Sequence, residues 1–183
     1  LISIIKALCV VAHPDDCIIF ARPFIERYSE FEWTILYLTY RSYDPRAMEM
    51  TAYWRRRNVS TVNLGFTDDY RDMENNLVSF NTEQARREIF NISSRYDLIL
   101  THNADGDYGH IHHTFVSNSV QSVPKPKVYF ANYQQQTMEC HAVTEIGLDE
   151  LPLHRSVVEG FQNINIGRYI VDESAQELLN GKS

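Results

Sequence analysis

Ala12-His13-Pro14-Asp15-Asp16-Cys17 follows directly on an apolar run, Ile4 to Val11. The run reads as a strand covered on both faces, the pattern of a parallel sheet. A chain leaving such a strand meets a histidine and two carboxylates at once. These groups are costly to bury unless something compensates them. At the carboxyl end of a strand in an α/β sheet they stand where ligands bind.

Outward from that stretch, strands and helices alternate. Residues from about Asp16 to Tyr28 read as a helix, with Pro23 either opening it or kinking it. Thr34 to Thr39 is a second strand. Asp44-Pro45 opens a helix reaching about Asn58. Ser60 to Leu64 is a third strand, and the polar stretch Phe66 to Asn76 reads as an exposed loop. Asn81 or Thr82 caps a helix to about Arg95, with Ala85, Ile89, Phe90 and Ile92 near helical spacing. Asp97 to Thr101 is a fourth strand. A polar loop, His102 to Tyr108, then leads into a helix from about Gly109 to Val120. Lys127 to Ala131 is a fifth strand and Cys140 to Ile146 a sixth. Leu148 to Phe161 reads as helix, Arg168 to Val171 as extended chain and Ser174 to Leu179 as a last helix. The expected fold is α/β: a Rossmann-like, mostly parallel sheet with helices on both faces.

The chain has 183 residues and fits a single domain, 1–183; with Leu1 in first place, this fits one domain of a longer protein. Its net charge of −7 argues against general nucleic-acid binding, which needs a basic face. No apolar run approaches the ~20 residues that span a bilayer. A soluble location, cytoplasmic or otherwise, is expected, with an upstream targeting segment left open. Oligomeric state is not legible. Cys9, Cys17 and Cys140 are odd in number and widely spaced, so neither a disulfide framework nor a cysteine zinc site is expected.

Two groups carry chemistry. The first is His13, Asp15 and Asp16. The second is His110, His112 and His113 in Gly-Asp-Tyr-Gly-His-Ile-His-His. On a helix His110 and His113 share a face. Each group alone has a plain alternative: the aspartates can cap the next helix, and the histidines can form a solvated face. Both groups following core strands point to a metal site. Two imidazoles and a carboxylate would leave a fourth position for water, as in catalytic zinc. One aspartate can then bind metal while its neighbour acts as base.

Ala-His-Pro-Asp-Asp after an N-terminal strand, with Gly-His-x-x-His after a later one, resembles the LmbE/PIG-L family of zinc-dependent deacetylases. Arg46 and Glu49 match an Arg-x-x-Glu pair of that family. Leu64-Gly65-Phe66-Thr67-Asp68 matches its Leu-Gly-x-x-Asp loop, and Asp97 to His102 its strand before the second motif. The resemblance covers roughly residues 5 to 135. It implies a hydrolase removing the N-acetyl group from an N-acetylglucosamine-type glycoside or glycoconjugate, with Zn2+ or another divalent metal as cofactor. By that match His13, Asp16 and His113 are the metal ligands and Asp15 is the general base. His110 and Tyr108 assist at the carbonyl or the leaving amine, and Arg46 and Asp68 contact substrate hydroxyls. The alternative is a non-catalytic glycan-binding or scaffold descendant of the same fold. Two departures stand out: Cys17 where the family has Glu, and His112 where it has Asp. Without that Asp, no carboxylate at position 112 raises the pKa of His110, and either the pH optimum is expected to shift or another acid, such as Asp105 or Asp107, to take over. His141 and His154 are expected to be structural or superficial. Trp33 and Trp54 read as partial core, with Trp54 also open to stacking on a sugar face.

Overall fold

The structure, a computed structural model, describes all residues except 1, 2, 69, 72–76, 79, 133, 134, 136, 162, 182 and 183, and only the backbone of 70, 71, 77 and 78. Part of the loop read over Phe66 to Asn76 thus lies outside the described residues.

The strands are β1 (Lys6–Val11), β2 (Glu32–Thr39), β3 (Ser60–Phe66), β4 (Tyr70–Arg71), β5 (Leu77–Val78), β6 (Leu98–Thr101), β7 (Lys127–Phe130), β8 (Met138–His141) and β9 (Ile166–Val171). The helices are α1 (Arg22–Arg27), α2 (Pro45–Arg55), α3 (Thr82–Ser93), α4 (Gly106–Gly109), α5 (Ile111–Gln121), α6 (Arg155–Gly160) and α7 (Glu173–Asn180). Seven strands form one sheet in the order β3-β2-β1-β6-β7-β9-β8, and β4 pairs with β5. From β3 to β7 the neighbours are parallel; β9 runs antiparallel to both β7 and β8. The Rossmann-like expectation therefore holds for the first 130 residues, and an antiparallel edge completes the sheet.

Alternation along β1 divides the core. Ala7, Cys9 and Val11 face a cluster with Phe24 of α1, Met50 and Trp54 of α2 and Leu179 of α7. Leu8 and Val10 face the opposite cluster, with Ala85 and Ile89 of α3 and Phe115, Val116 and Val120 of α5. All five β1 residues from Ala7 to Val11 are fully buried, which is why the run contains no polar alternation.

The chain runs outward from β1 to β2 and β3 on one side and then crosses back to β6 on the other, so a crevice opens above the carboxyl ends of β1 and β6. Hydroxyls fix that edge: Thr39 Oγ1 donates to the Ala12 carbonyl at 2.8 Å and Thr101 Oγ1 to the Val10 carbonyl at 2.9 Å. After the crevice the chain winds as a π-helix, Cys17–Ala21, before α1 begins at Arg22. Pro23 has no N–H for an i−4 carbonyl, so the regular helix starts there, the first of the two expected alternatives. The helix expected over Leu148 to Phe161 is broken into a 3-10 turn, Pro152–His154, and the short α6, because Pro152 interrupts it.

Trp54 is 1% exposed and its Nε1 donates to Cys17 Sγ at 3.0 Å, so it is core and does not face a groove. Cys17 is fully buried, also against Tyr37 Oη, and burial pushes its thiol up to about 12. It is a packed thiol, not a reactive one.

Candidate metal centre

His13 and Asp16 leave the end of β1 in one tight turn. The Asp16 carboxylate accepts the His13 backbone N–H at 2.7 Å, which fixes its direction. His113 enters from the first turn of α5, 100 residues later. Its Nε2 lies 3.2 Å from Asp16 Oδ1 and 3.3 Å from His13 Nδ1, and His13 Nδ1 lies 3.2 Å from Asp16 Oδ2. Tetrahedral zinc with bonds of about 2.0–2.1 Å has ligand atoms about 3.3 Å apart. The triangle therefore has the dimensions and donor set of a two-histidine, one-carboxylate metal site. All three side chains are buried, at 8%, 2% and 0% exposure. Among the described residues, His13-His110-His112 and His102-Asp107-His113 form further triads of potential ligands that adjoin this one.

Without a metal the triangle holds protons. Burial works against the charge on His13, but Asp16 and Asp68 overcome it and raise His13 to about 10. Burial opposes the charge on His113 too, and Asp16 and Asp107 raise it to about 9. Burial would raise Asp16; His113 and His13 instead hold it well below the usual carboxylate range. A metal would replace those ring protons.

Each of the two candidate ligand histidines has support behind it. His113 Nδ1 bonds Asp107 Oδ2 at 2.8 Å, and His102 Nδ1 bonds the same oxygen. The Ala12 N–H donates to His102 Nε2, so the proton of His102 sits on Nδ1, toward Asp107. The rings of His102 and His113 stack at 3.9 Å. Asp107 reaches this position through an unusual backbone, φ 64 and ψ −69, preceded by Gly106 at φ 69. A Cβ on Gly106 would come within 2.5 Å of Thr114 Oγ1, so the turn requires glycine. His13 Nε2 lies 3.1 Å from both Asp68 Oδ1 and His112 Nδ1. The side chain at position 112 thus faces a ligand histidine across the crevice.

The rim carries the other expected residues. Asp15 directly precedes Asp16, and its carboxylate lies 3.5 Å from Arg46 Nη2. Burial and the neighbouring Asp16 raise its pKa, against Arg46 and His13. His110 caps α5, its Nδ1 accepting the His112 N–H at 3.2 Å. Burial, His13 and His113 lower it to about 4, so it is neutral at pH 7. Tyr108 is 63% exposed, its ring 5.1 Å from that of His113. Arg46 also donates to Tyr40 Oη at 3.2 Å, and Tyr40 Oη to Asp68 Oδ2 at 3.0 Å.

Three side chains of this assembly were not assigned from the sequence. Asp107 was read as an acid that could replace the one missing at position 112, and His102 as the end of a family-matching segment, neither as support for His113. His154 is fully buried, accepts from Arg46 Nε at 3.3 Å and pairs with Glu49, so it holds Arg46 in place. The pairing of an Arg-x-x-Glu with a distant histidine was the available signal. His141 is exposed beside Glu139, as expected of a surface residue.

The chain is 26% identical over 151 residues to the uncharacterized protein L374 of Acanthamoeba polyphaga mimivirus, covering 74% of this chain. It spans 65% of the length of that relative. Among solved structures, the A40926 pseudoaglycone deacetylase Dbv21 superposes with TM-score 0.61 at 11% identity, over 94% of this chain and 99% of that one. The N,N'-diacetylchitobiose deacetylase of Pyrococcus horikoshii gives 0.60 at 18% identity, over 86% and 71%. The 4-carboxy-2-hydroxymuconate hydratase GalB of Pseudomonas putida KT2440 gives 0.59 at 13%, over 92% and 97%. At these identities the likeness is one of fold. Residues 8–123, well over half of the chain, match the family described as PIG-L, GlcNAc-PI de-N-acetylase, and the chain belongs to that family.

Proposed function

We propose that this domain is a metal-dependent N-deacetylase acting on an N-acetylglucosamine-type glycoside or glycoconjugate. The observation that carries the reading is the His13-Asp16-His113 triangle with Asp15 beside it and outside the ligand set. Zinc held there would polarise the acetamide carbonyl and lower the pKa of a bound water to about 7.

The chain's own residues supply the remainder. Asp15 takes the proton of the attacking water. Its raised pKa suits it both to accept that proton and to hand it on to the leaving amine. His110 is neutral, and with its Nδ1 accepting from the backbone its proton sits on Nε2, from which it would donate to the developing oxyanion. Tyr108, its ring 6.0 Å from that of His110, offers a second donor beside it. Arg46 and Asp68, linked through Tyr40, are suited to sugar hydroxyls. Asp107, His102 and His112 hold ligand rings and leave the substrate alone.

The test is acetate release from a set of N-acetylglucosamine glycosides by the zinc-loaded protein. Release is expected, and Asp15→Asn should lower it by at least about a hundredfold. A fully zinc-loaded protein that frees no acetate from any of them would contradict the reading and favour the non-catalytic, glycan-binding alternative.

A further inference from the structure

His13 presents a different ring nitrogen to each of two sets of ligand atoms. Its Nδ1 faces Asp16 and His113 in the triangle described above. Its Nε2 faces the other way, 3.1 Å from Asp68 Oδ1 and 3.1 Å from His112 Nδ1, and those two atoms lie 3.6 Å apart. These separations again match the spacing of about 3.3 Å between ligand atoms around tetrahedral zinc. Hydrogen bonding accounts for less of the arrangement, because a proton on His13 Nε2 aligns with only one of the two neighbours at a time. The donors are fixed from behind. Asp68 Oδ2 accepts from Tyr40 Oη at 3.0 Å, and Tyr40 Oη accepts from Arg46. His112 is fully buried in the first turn of α5, its backbone N–H held by His110 Nδ1 and its ring 5.8 Å from that of Phe80. An ion can enter along Asp68, whose side chain is 32% exposed; with Arg41, Asp44 and Arg46 it gives a cavity of about 590 Å³ its charged lining. The triad His102-Asp107-His113 differs in this respect. His102 is fully buried, its Nε2 accepts the Ala12 N–H and its Nδ1 faces Asp107, so both ring nitrogens are engaged.

We infer that His13, His112 and Asp68 form a second divalent-metal site, and that His13 joins it to the first as a bridging imidazolate. The inference rests on the metal-dependent reading above and adds an ion to it. The exchange balances: a bond forms between the second ion and His13 Nε2, the Nε2–H bond breaks, and its proton goes to solvent. An ion already on Nδ1 favours this step, because a nearby positive charge makes the ring proton easier to lose. The site belongs to this chain through His112, which stands where the family resemblance has Asp. Two imidazole nitrogens and one carboxylate suit zinc or copper better than magnesium or calcium, which prefer oxygen donors throughout.

The experiment counts metal on the full chain. Wild type and His112→Leu are brought to equilibrium with free zinc by dialysis, and zinc and protein are measured on both sides of the membrane. Two ions per chain are expected on wild type, the second bound more weakly because a proton must leave, and one on His112→Leu. One ion on wild type would overturn the second site and leave the first standing. No ion on wild type would overturn both. Two ions on wild type and two on His112→Leu would put the second ion elsewhere and overturn the inference. Wild type loaded with copper(II) gives a readout that needs no variant. An imidazolate bridge couples two copper spins antiferromagnetically, so on cooling the electron paramagnetic resonance intensity should fall well below that of two isolated ions. Two bound coppers with full, uncoupled intensity would overturn the inference. The copper measurement decides the matter if His112→Leu fails to fold or loses both ions.

Discussion

The two ligand histidines are held in different ways. His113 is backed by Asp107, six residues earlier in the segment that leads into α5, through a carboxylate that is 5% exposed and shared with the buried His102. His13 is backed by Asp68 and His112, which come from separate segments, and the Asp68 side chain is 32% exposed. The His113 side is thus organised locally and away from water. The His13 side depends on two remote elements, one of them a carboxylate that also lines the neighbouring cavity. Hydrogen bonds in a dry site are stronger than those reached by solvent, so the support of His113 should matter more for metal binding.

Removing Asp107 is the hardest blow to that difference. Asp107→Ala should weaken zinc binding by about 10–100-fold, read by competition against a zinc chelator. An effect no larger than that of Asp68→Asn would break the comparison. Gly106→Ala attacks the same loop through its backbone. A side chain at φ 69 costs about 1–2 kcal/mol before the clash with Thr114 is added. The melting temperature should fall by roughly 2–8 °C, with zinc affinity falling alongside.

The pH dependence of the metal-free protein sharpens the same picture. His13 and His113 have folded-state values raised to about 10 and about 9, above the ordinary histidine value of about 6.5. Such groups contribute stability that is full below about 6.5 and lost as pH rises through 9 to 10. The melting temperature in chelator should therefore fall between pH 7 and 10. With zinc in place of the ring protons, that decline should shrink. A metal-free protein equally stable across this range would mean that the rings are not protonated.

On the His13 side smaller effects are expected. Asp68→Asn keeps the shape and loses the charge; zinc affinity should drop by about tenfold or less, while KM rises because Asp68 also lines the charged cavity. His112→Asp puts a carboxylate beside His13 and should leave zinc affinity equal or slightly higher by the same measurement. A large loss on that change would show that the buried imidazole has a role beyond orienting His13.

The sequence made the ligand triangle legible because its chemistry is dense and its backbone is simple. His13 and Asp16 follow one strand, and His113 opens the helix after another. The support was not legible for a physical reason. Asp107 reaches His113 only because Gly106 and Asp107 both take positive φ, and no periodicity reports that. The cavity lined by Phe130, Phe161 and Ile164 depends on β9 inserting antiparallel between β7 and β8. A reading based on alternating strands and helices carries no information about such an insertion. It also joined Leu148 to Phe161 into one helix that Pro152 divides. Trp54 was open to two readings from sequence because its partner, Cys17, lies 37 residues away.

The division of labour between neighbouring aspartates is the centre of this account, and X-ray absorption at the zinc edge, recorded together with acetate release for wild type and Asp15→Asn, tests it most directly. The account predicts two imidazoles and one carboxylate around zinc in both proteins, with hydrolysis lost in the variant alone. A zinc environment that changes, or zinc that is lost, when Asp15 is replaced would contradict it and make Asp15 a ligand.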